Sequence, residues 1–205
     1  MNPLINRAIV WAAMTAAAVM PTVFAQTPPP AEVEVASVKF NNVRQSNDAG
    51  WTETVIELTA KPSPKNGRFT GRVKVSLNLG VEASPLGGQK QVKFYKASAE
   101  LVTLETGKSE VRFYLPPEIT KRDMLRGDAK FYFVELSIDG KTLDTTKTNV
   151  SFATLGNKQA LESFRAKIAS DASVNDGILV PQYLTLFASD PSRPSPTFIR
   201  SESAH

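Results

Sequence analysis

Between residues 69 and 79 the chain alternates apolar and polar side chains with little interruption. Phe69, Val73, Val75, Leu77 and Leu79 share one parity, and Arg72, Lys74, Ser76 and Asn78 share the other. A two-residue period is the geometry of a strand, whose successive side chains point to opposite faces, so this segment predicts a sheet with one dry and one wet side. No single strand can bury such a face alone. A second layer has to cover it.

The same period recurs along the chain. Residues 32–43 carry Val33 and Val35 and then, after a phase slip at Ala36 that predicts a bulge, Val38 and Phe40. Trp51 to Ala60 sets Ile56 and Leu58 against Glu53 and Glu57. A further strand is predicted over Val92–Leu104, with Phe94, Tyr95, Leu101, Val102 and Leu104 as its apolar members. Another follows with Val111, Phe113 and Leu115, stopped by Pro116-Pro117, and a short helical crossing is predicted over Ile119–Arg126. The run AKFYFVELSI ends in Asp139-Gly140, a dipeptide suited to a type I′ hairpin, and KTLDTTKTNVSF is predicted to return as a strand. Phe131 and Phe133 lie on one face of that hairpin, and Tyr132, Val134, Leu136 and Ile138 on the other. Both faces are apolar, which requires a central position or a covering element.

A cover is available. From Asn157 to Ser170 the period becomes helical, with Leu161, Phe164 and Ile168 on one stripe. ILVPQYLTLF then offers one edge strand interrupted by Pro181. About seven strands with turn signals between them predict a mainly β, immunoglobulin-like β-sandwich with one C-terminal α-helix. Asp128, Tyr132 and Val134 have the spacing of a tyrosine corner. Trp51 is expected in the core or at its rim.

The N-terminus sets the expected compartment. Met1 to Arg7 carries one positive charge, Ala8 to Met20 is apolar, and Val23-Phe24-Ala25 has short residues where a signal peptidase reads. Residues 1–25 are therefore predicted to be a signal peptide cleaved after Ala25, since Pro21 cuts the apolar run short of a membrane span. Residues 26–31 read as a Pro-rich spacer, 32–154 as the sandwich, 155–188 as the helix and edge segment, and 189–205 as a flexible tail. The product is expected in the periplasm, at the outer-membrane surface or outside the cell, with no transmembrane segment after cleavage. The net charge of +4 is too weak to argue for nucleic acid, although it permits attraction to acidic glycans.

Missing residue types narrow the chemistry. The chain has no Cys, and its one His is His205. A Ser-His-Asp triad, a papain-like thiolate and the common zinc, copper and haem ligand sets all require those side chains. Gly87-Gly88 lacks the spacing of a phosphate loop. No cofactor, metal or catalytic residue is predicted. Paired carboxylates remain an alternative as a glycoside hydrolase, with Glu53 and Glu57 or Glu100 and Glu135 as candidates. Asp171, Ser173 and Asn175 have the odd-numbered spacing of a calcium loop. However, Asp176 stands where such a loop needs Gly and Gln182 where it needs Glu, so a polar turn closing the helix is the better reading. The candidate binding patch, for glycans or polyanions, is Arg72, Lys74, Lys93, Tyr95 and Lys96.

The segments VEVASVKF, GWTETVIELTA and FYFVELSIDGK, behind a cleavable leader, resemble the secreted immunoglobulin-like proteins encoded with type IV pilus genes in mucin-degrading gut bacteria. The resemblance spans Val33 to Phe187. It implies a non-catalytic structural or adhesion module whose partners are envelope or pilus proteins. A glycan-binding module is the other binding reading.

Overall fold

The alternating segments form strands in the order the periodicity predicts. The structure is a computed structural model that describes residues 32–44, 50–62, 67–84 and 88–199; the predicted signal peptide and spacer lie outside them. The strands are β1 (Val33–Val43), β2 (Trp51–Ala60), β3 (Val73–Ala83), β4 (Gln91–Leu101), β5 (Gly107–Leu115), β6 (Phe131–Ile138), β7 (Lys141–Thr142) and β8 (Val180–Pro181). The helices are α1 (Pro117–Arg122), α2 (Phe152–Leu155) and α3 (Lys158–Asp171).

Two four-stranded sheets stack face to face, ordered β1-β2-β5-β8 and β4-β3-β6-β7, with every pairing antiparallel. Their inner faces supply the core, where Ile56, Leu58, Val75, Leu77, Phe113 and Val134 are buried together. The fold is an immunoglobulin-like β-sandwich. The register of β1 against β2 shifts between Val35 and Ser37, which places the bulge at Ala36. Trp51 is a rim residue, edge-on to Tyr114 at 6.3 Å and to Phe187 at 5.7 Å.

Several elements depart from the periodicity. Phe69 lies ahead of β3 and is 51% exposed, although it shares the parity of Val73. It is held there by a bridge to Glu105. The strand predicted to reach Leu104 ends at Leu101, because Thr70 turns back to meet Leu104: its hydroxyl accepts the Leu104 N–H at 2.9 Å. The returning strand after Asp139-Gly140 shrinks to the two residues of β7. The edge of β6 is satisfied by other means. Leu143 N–H donates to Leu136 O, Asn149 Nδ2 donates to Val134 O, and Ser151 N–H donates to Tyr132 O. Buried backbone acceptors have to be paired, and a folded-over loop does so here without a ladder. The tyrosine corner is not made either. No hydrogen bond joins Tyr132 to Asp128, and the Tyr132 ring packs on Phe40 at 5.8 Å.

Both outer faces are partly covered by the chain itself. Asn157 caps α3 by accepting the Ala160 N–H at 2.7 Å, and Phe164 and Ile168 are buried against the sheet of β3. Phe164 sits 6.0 Å from Phe94 and 6.1 Å from Phe131. Gly80 lies between those two strands, paired with Phe94 and Phe131, and a Cβ there would come within 3.2 Å of the Phe131 ring. On the opposite sheet, residues 189–199, predicted to be a free tail, run across the outer face instead. Arg112 Nη1 donates to Pro194 O at 2.7 Å, and Phe198 bridges Leu101 at the edge of β4. The Ser and Pro content that suggests mobility also suits what forms here, a turn in which the Arg193 N–H donates to Asp190 O, followed by an irregular run from 194 to 199 that pairs with the sandwich instead of with itself.

Candidate functional site

The five residues of the predicted patch do not come together. Arg72, Lys74 and Lys96 lie on the outer face of the β3 sheet, with Arg72 3.6 Å from Glu100 and Lys96 3.7 Å from Asp176. Lys93 and Tyr95 have the opposite parity on β4. Tyr95 is fully buried in the core, where its hydroxyl donates to Asp123 Oδ2 at 2.5 Å. Burial first, and then the Asp123 hydrogen bond, push its pKa far above the usual 10.0. The hydrogen bond from Arg122 is the largest influence holding Asp123 below its usual value. Tyr95 is thus a core residue with a satisfied polar tip, not a ligand contact. An aromatic side chain flanked by lysines in sequence carries no information about which face it takes until the register is known.

What the outer face does present is a trough of about 520 Å³ between the sheet and α3. Cross-strand pairing builds its floor in rows. Ser98, Ser76 and Glu135 lie side by side on β4, β3 and β6, and Lys96, Asn78 and Phe133 form the next row. Ser76 and Ser98 share a hydrogen bond of 2.9 Å, and Asn78 Nδ2 donates to Phe133 O at 3.3 Å. From α3, Arg165 lays its guanidinium over the Phe133 ring at 4.4 Å. One row further, Phe94 and Phe131 face each other across Gly80 and are covered by Phe164. The helix therefore closes over the aromatic rows and leaves the polar rows open.

The acidic pairs are dispersed. Glu53 and Glu57 lie four residues apart on one strand, roughly 13 Å between Cα atoms. Glu100 and Glu135 lie two strands apart with a two-residue offset, roughly 12 Å. Neither pair shares a cavity: Glu53 and Glu57 line different depressions, and Glu135 lines a trough that Glu100 does not. Glu53, only 4% exposed, is also fully engaged. Its Oε1 accepts from Tyr114 Oη at 2.7 Å and Arg193 Nε at 3.2 Å, and its Oε2 accepts from Asn41 Nδ2 at 2.8 Å. Arg112 Nε stands 3.7 Å away, and the two arginines pair in turn with Glu110 and Asp190. Burial, and then the Glu53 hydrogen bond, raise the Tyr114 pKa well above its usual 10.0. This network clamps the C-terminal strap to the sheet. Sequence reasoning could not find it, because Glu53 and Arg193 are 140 residues apart.

The calcium-like segment forms the 3₁₀ turn Ala172–Asn175 that closes α3, and Asn175 Nδ2 donates to Phe94 O at 2.9 Å. Among the described residues, no cluster of three His, Cys, Asp or Glu side chains could hold a metal ion. No helix among them is long and apolar enough to cross a membrane.

Sandwich, cis-packed helix and strap together define an immunoglobulin-like domain with both outer faces dressed by its own chain. Among solved structures, it is similar to a crystal structure of a protein from Akkermansia muciniphila, a mucin-degrading gut bacterium. The two share a TM-score of 0.62 at 14% sequence identity, over 83% of this chain and 94% of the other. No family model matches the chain, and the search of curated proteins finds no match. At that identity the likeness is one of fold.

Proposed function

We propose that this chain is a non-catalytic, exported structural or adhesion module of a bacterial envelope, working alongside type IV pilus components. The observation that carries the reading is where its buried charges and polar groups go. Glu53, Arg112 and Arg193 fasten the strap, while Tyr95 and Asp123 tie α1 to β4. Chemistry of this kind stiffens a scaffold. The fold likeness to an Akkermansia protein and the leader-like N-terminus support the same reading, and acid pairs that share no cavity lend no support to glycoside hydrolysis. Exported sandwiches of this class bind through loops, faces or edge strands.

The test is fractionation of the producing bacterium, followed by gentle cross-linking and capture of the chain from envelope extracts. The protein is expected in the periplasmic, surface or medium fraction, with pilus components among its cross-linked partners. Retention in the cytoplasm, or capture of no pilus component, would count against this role.

A further inference from the structure

We propose that the trough beneath α3 binds a neutral, hydroxyl-rich ligand of the pyranose type, gripped between Glu135 and Arg165. This goes beyond the envelope role and can fail without it.

Three observations lead there. First, the cavity of about 520 Å³ falls within the roughly 300–1,000 Å³ of small-ligand sites and opens on one side, so a terminal sugar unit can enter. Second, Glu135 and Arg165 both line it, yet neither has an ion-pair partner within 4.0 Å among the described residues. Arg165 is oriented by the Phe133 ring beneath it and, weakly, by Thr145 Oγ1 at 3.4 Å. Third, the Ser76 and Ser98 hydroxyls lie in the same row as Glu135, bonded to one another. Each hydroxyl retains further donor or acceptor capacity.

The charge pattern selects the ligand class. At the other end of the trough Lys96 and Asp176 pair with each other, so the lining is balanced overall. A net anion would meet Glu135, and a net cation would meet Arg165. A vicinal diol suits both: one hydroxyl donates to the carboxylate, while another accepts from the guanidinium. The serine floor then serves the remaining hydroxyls. Because Phe133 is only 2% exposed and covered by Arg165, recognition here rests on hydrogen bonds rather than on a stacked aromatic platform.

The test uses the chain from residue 26 onward, isotopically labelled, titrated by NMR with galactose, N-acetylglucosamine and lactose. Galacturonate, glucosamine and diglycine are the charged and zwitterionic arms. Neutral sugars are expected to bind saturably in the roughly millimolar range or tighter, with amide shifts centred on Ser76, Ser98 and Glu135. Glu135→Gln, a nearly isosteric change at a half-exposed position, is expected to weaken binding about ten-fold or more, because one charge-assisted hydrogen bond is lost. Ser98→Ala gives a second, smaller loss, and Lys93→Ala leaves binding unchanged. The proposal is overturned if no neutral sugar shifts these amides, if the shifts map elsewhere, or if Glu135→Gln binds as wild type. It is equally overturned if diglycine or a charged sugar binds at the trough while galactose, N-acetylglucosamine and lactose do not.

Discussion

Replacing Glu53 by alanine tests whether the buried charge network holds the strap. The carboxylate accepts hydrogen bonds from Tyr114, Arg193 and Asn41 and faces Arg112 at 3.7 Å. Removing it leaves the fully buried Tyr114 hydroxyl without that acceptor, at a cost of about 1–3 kcal/mol. It also withdraws a counter-charge from Arg112, whose side chain is 7% exposed. Stripping one partner from a buried pair costs about 3–5 kcal/mol when the other charge is orphaned. Here Arg112 keeps Glu110 and Pro194 O, and Arg193 keeps Asp190, so the charge penalty is partial. The total is about 3–4 kcal/mol, or roughly 6–16 °C in Tm for a domain of this size. Glu53→Gln keeps an acceptor for Tyr114 and is expected to lose about half as much. Urea unfolding followed by Trp51 fluorescence is the assay. Trp51 is the only tryptophan after residue 25, and it packs on both Tyr114 and Phe187. A loss below about 1 kcal/mol for Glu53→Ala would refute the reasoning.

Three further outcomes are expected. Phe164→Ala removes the ring that joins Phe94 and Phe131 and should cost about 3–5 kcal/mol, with hydrogen exchange of α3 rising before that of β3. Asp123→Asn should cost about 1–3 kcal/mol in the same urea assay, because Tyr95 then donates to a neutral amide. Stability should fall at alkaline pH. Tyr95 and Tyr114 both have folded pKa values raised above 10.0, so the unfolded chain gives up these protons first. Their stabilisation is complete below about pH 10 and declines as pH rises beyond it, which thermal melts between pH 8 and 11 would reveal.

The sheets were legible because period two is a direct imprint of backbone geometry, and the bulge at Ala36 showed as a slip in that period. Helix α3 was legible for the same reason, with Phe164 and Ile168 on its buried stripe. The shortness of the return after Asp139-Gly140 was not, because Asn149 replaces a ladder with a side-chain hydrogen bond that no periodicity records. The strap was hidden by its composition, since Ser and Pro suit a mobile tail and an irregular, anchored segment equally well. Of the predicted patch, Lys96 lines the trough, whereas Tyr95 turned inward because parity along β4 outranks its polar neighbours. Ser76, Ser98 and Glu135 are unremarkable in sequence and become a row only when three strands align.

The separation between Glu53 and Arg193 has a consequence for assembly. A nascent chain that has made its first two strands already holds an acid destined for burial; Arg112 on β5 supplies one counter-charge, but Arg193, which hydrogen-bonds the carboxylate, arrives 140 residues after it. Loop closure over that distance is entropically slow, so the final protective layer should form late, on the slower timescales typical of β-rich topologies. Until then Glu53 can pair only within its own sheet, with Asn41, Arg112 and Tyr114.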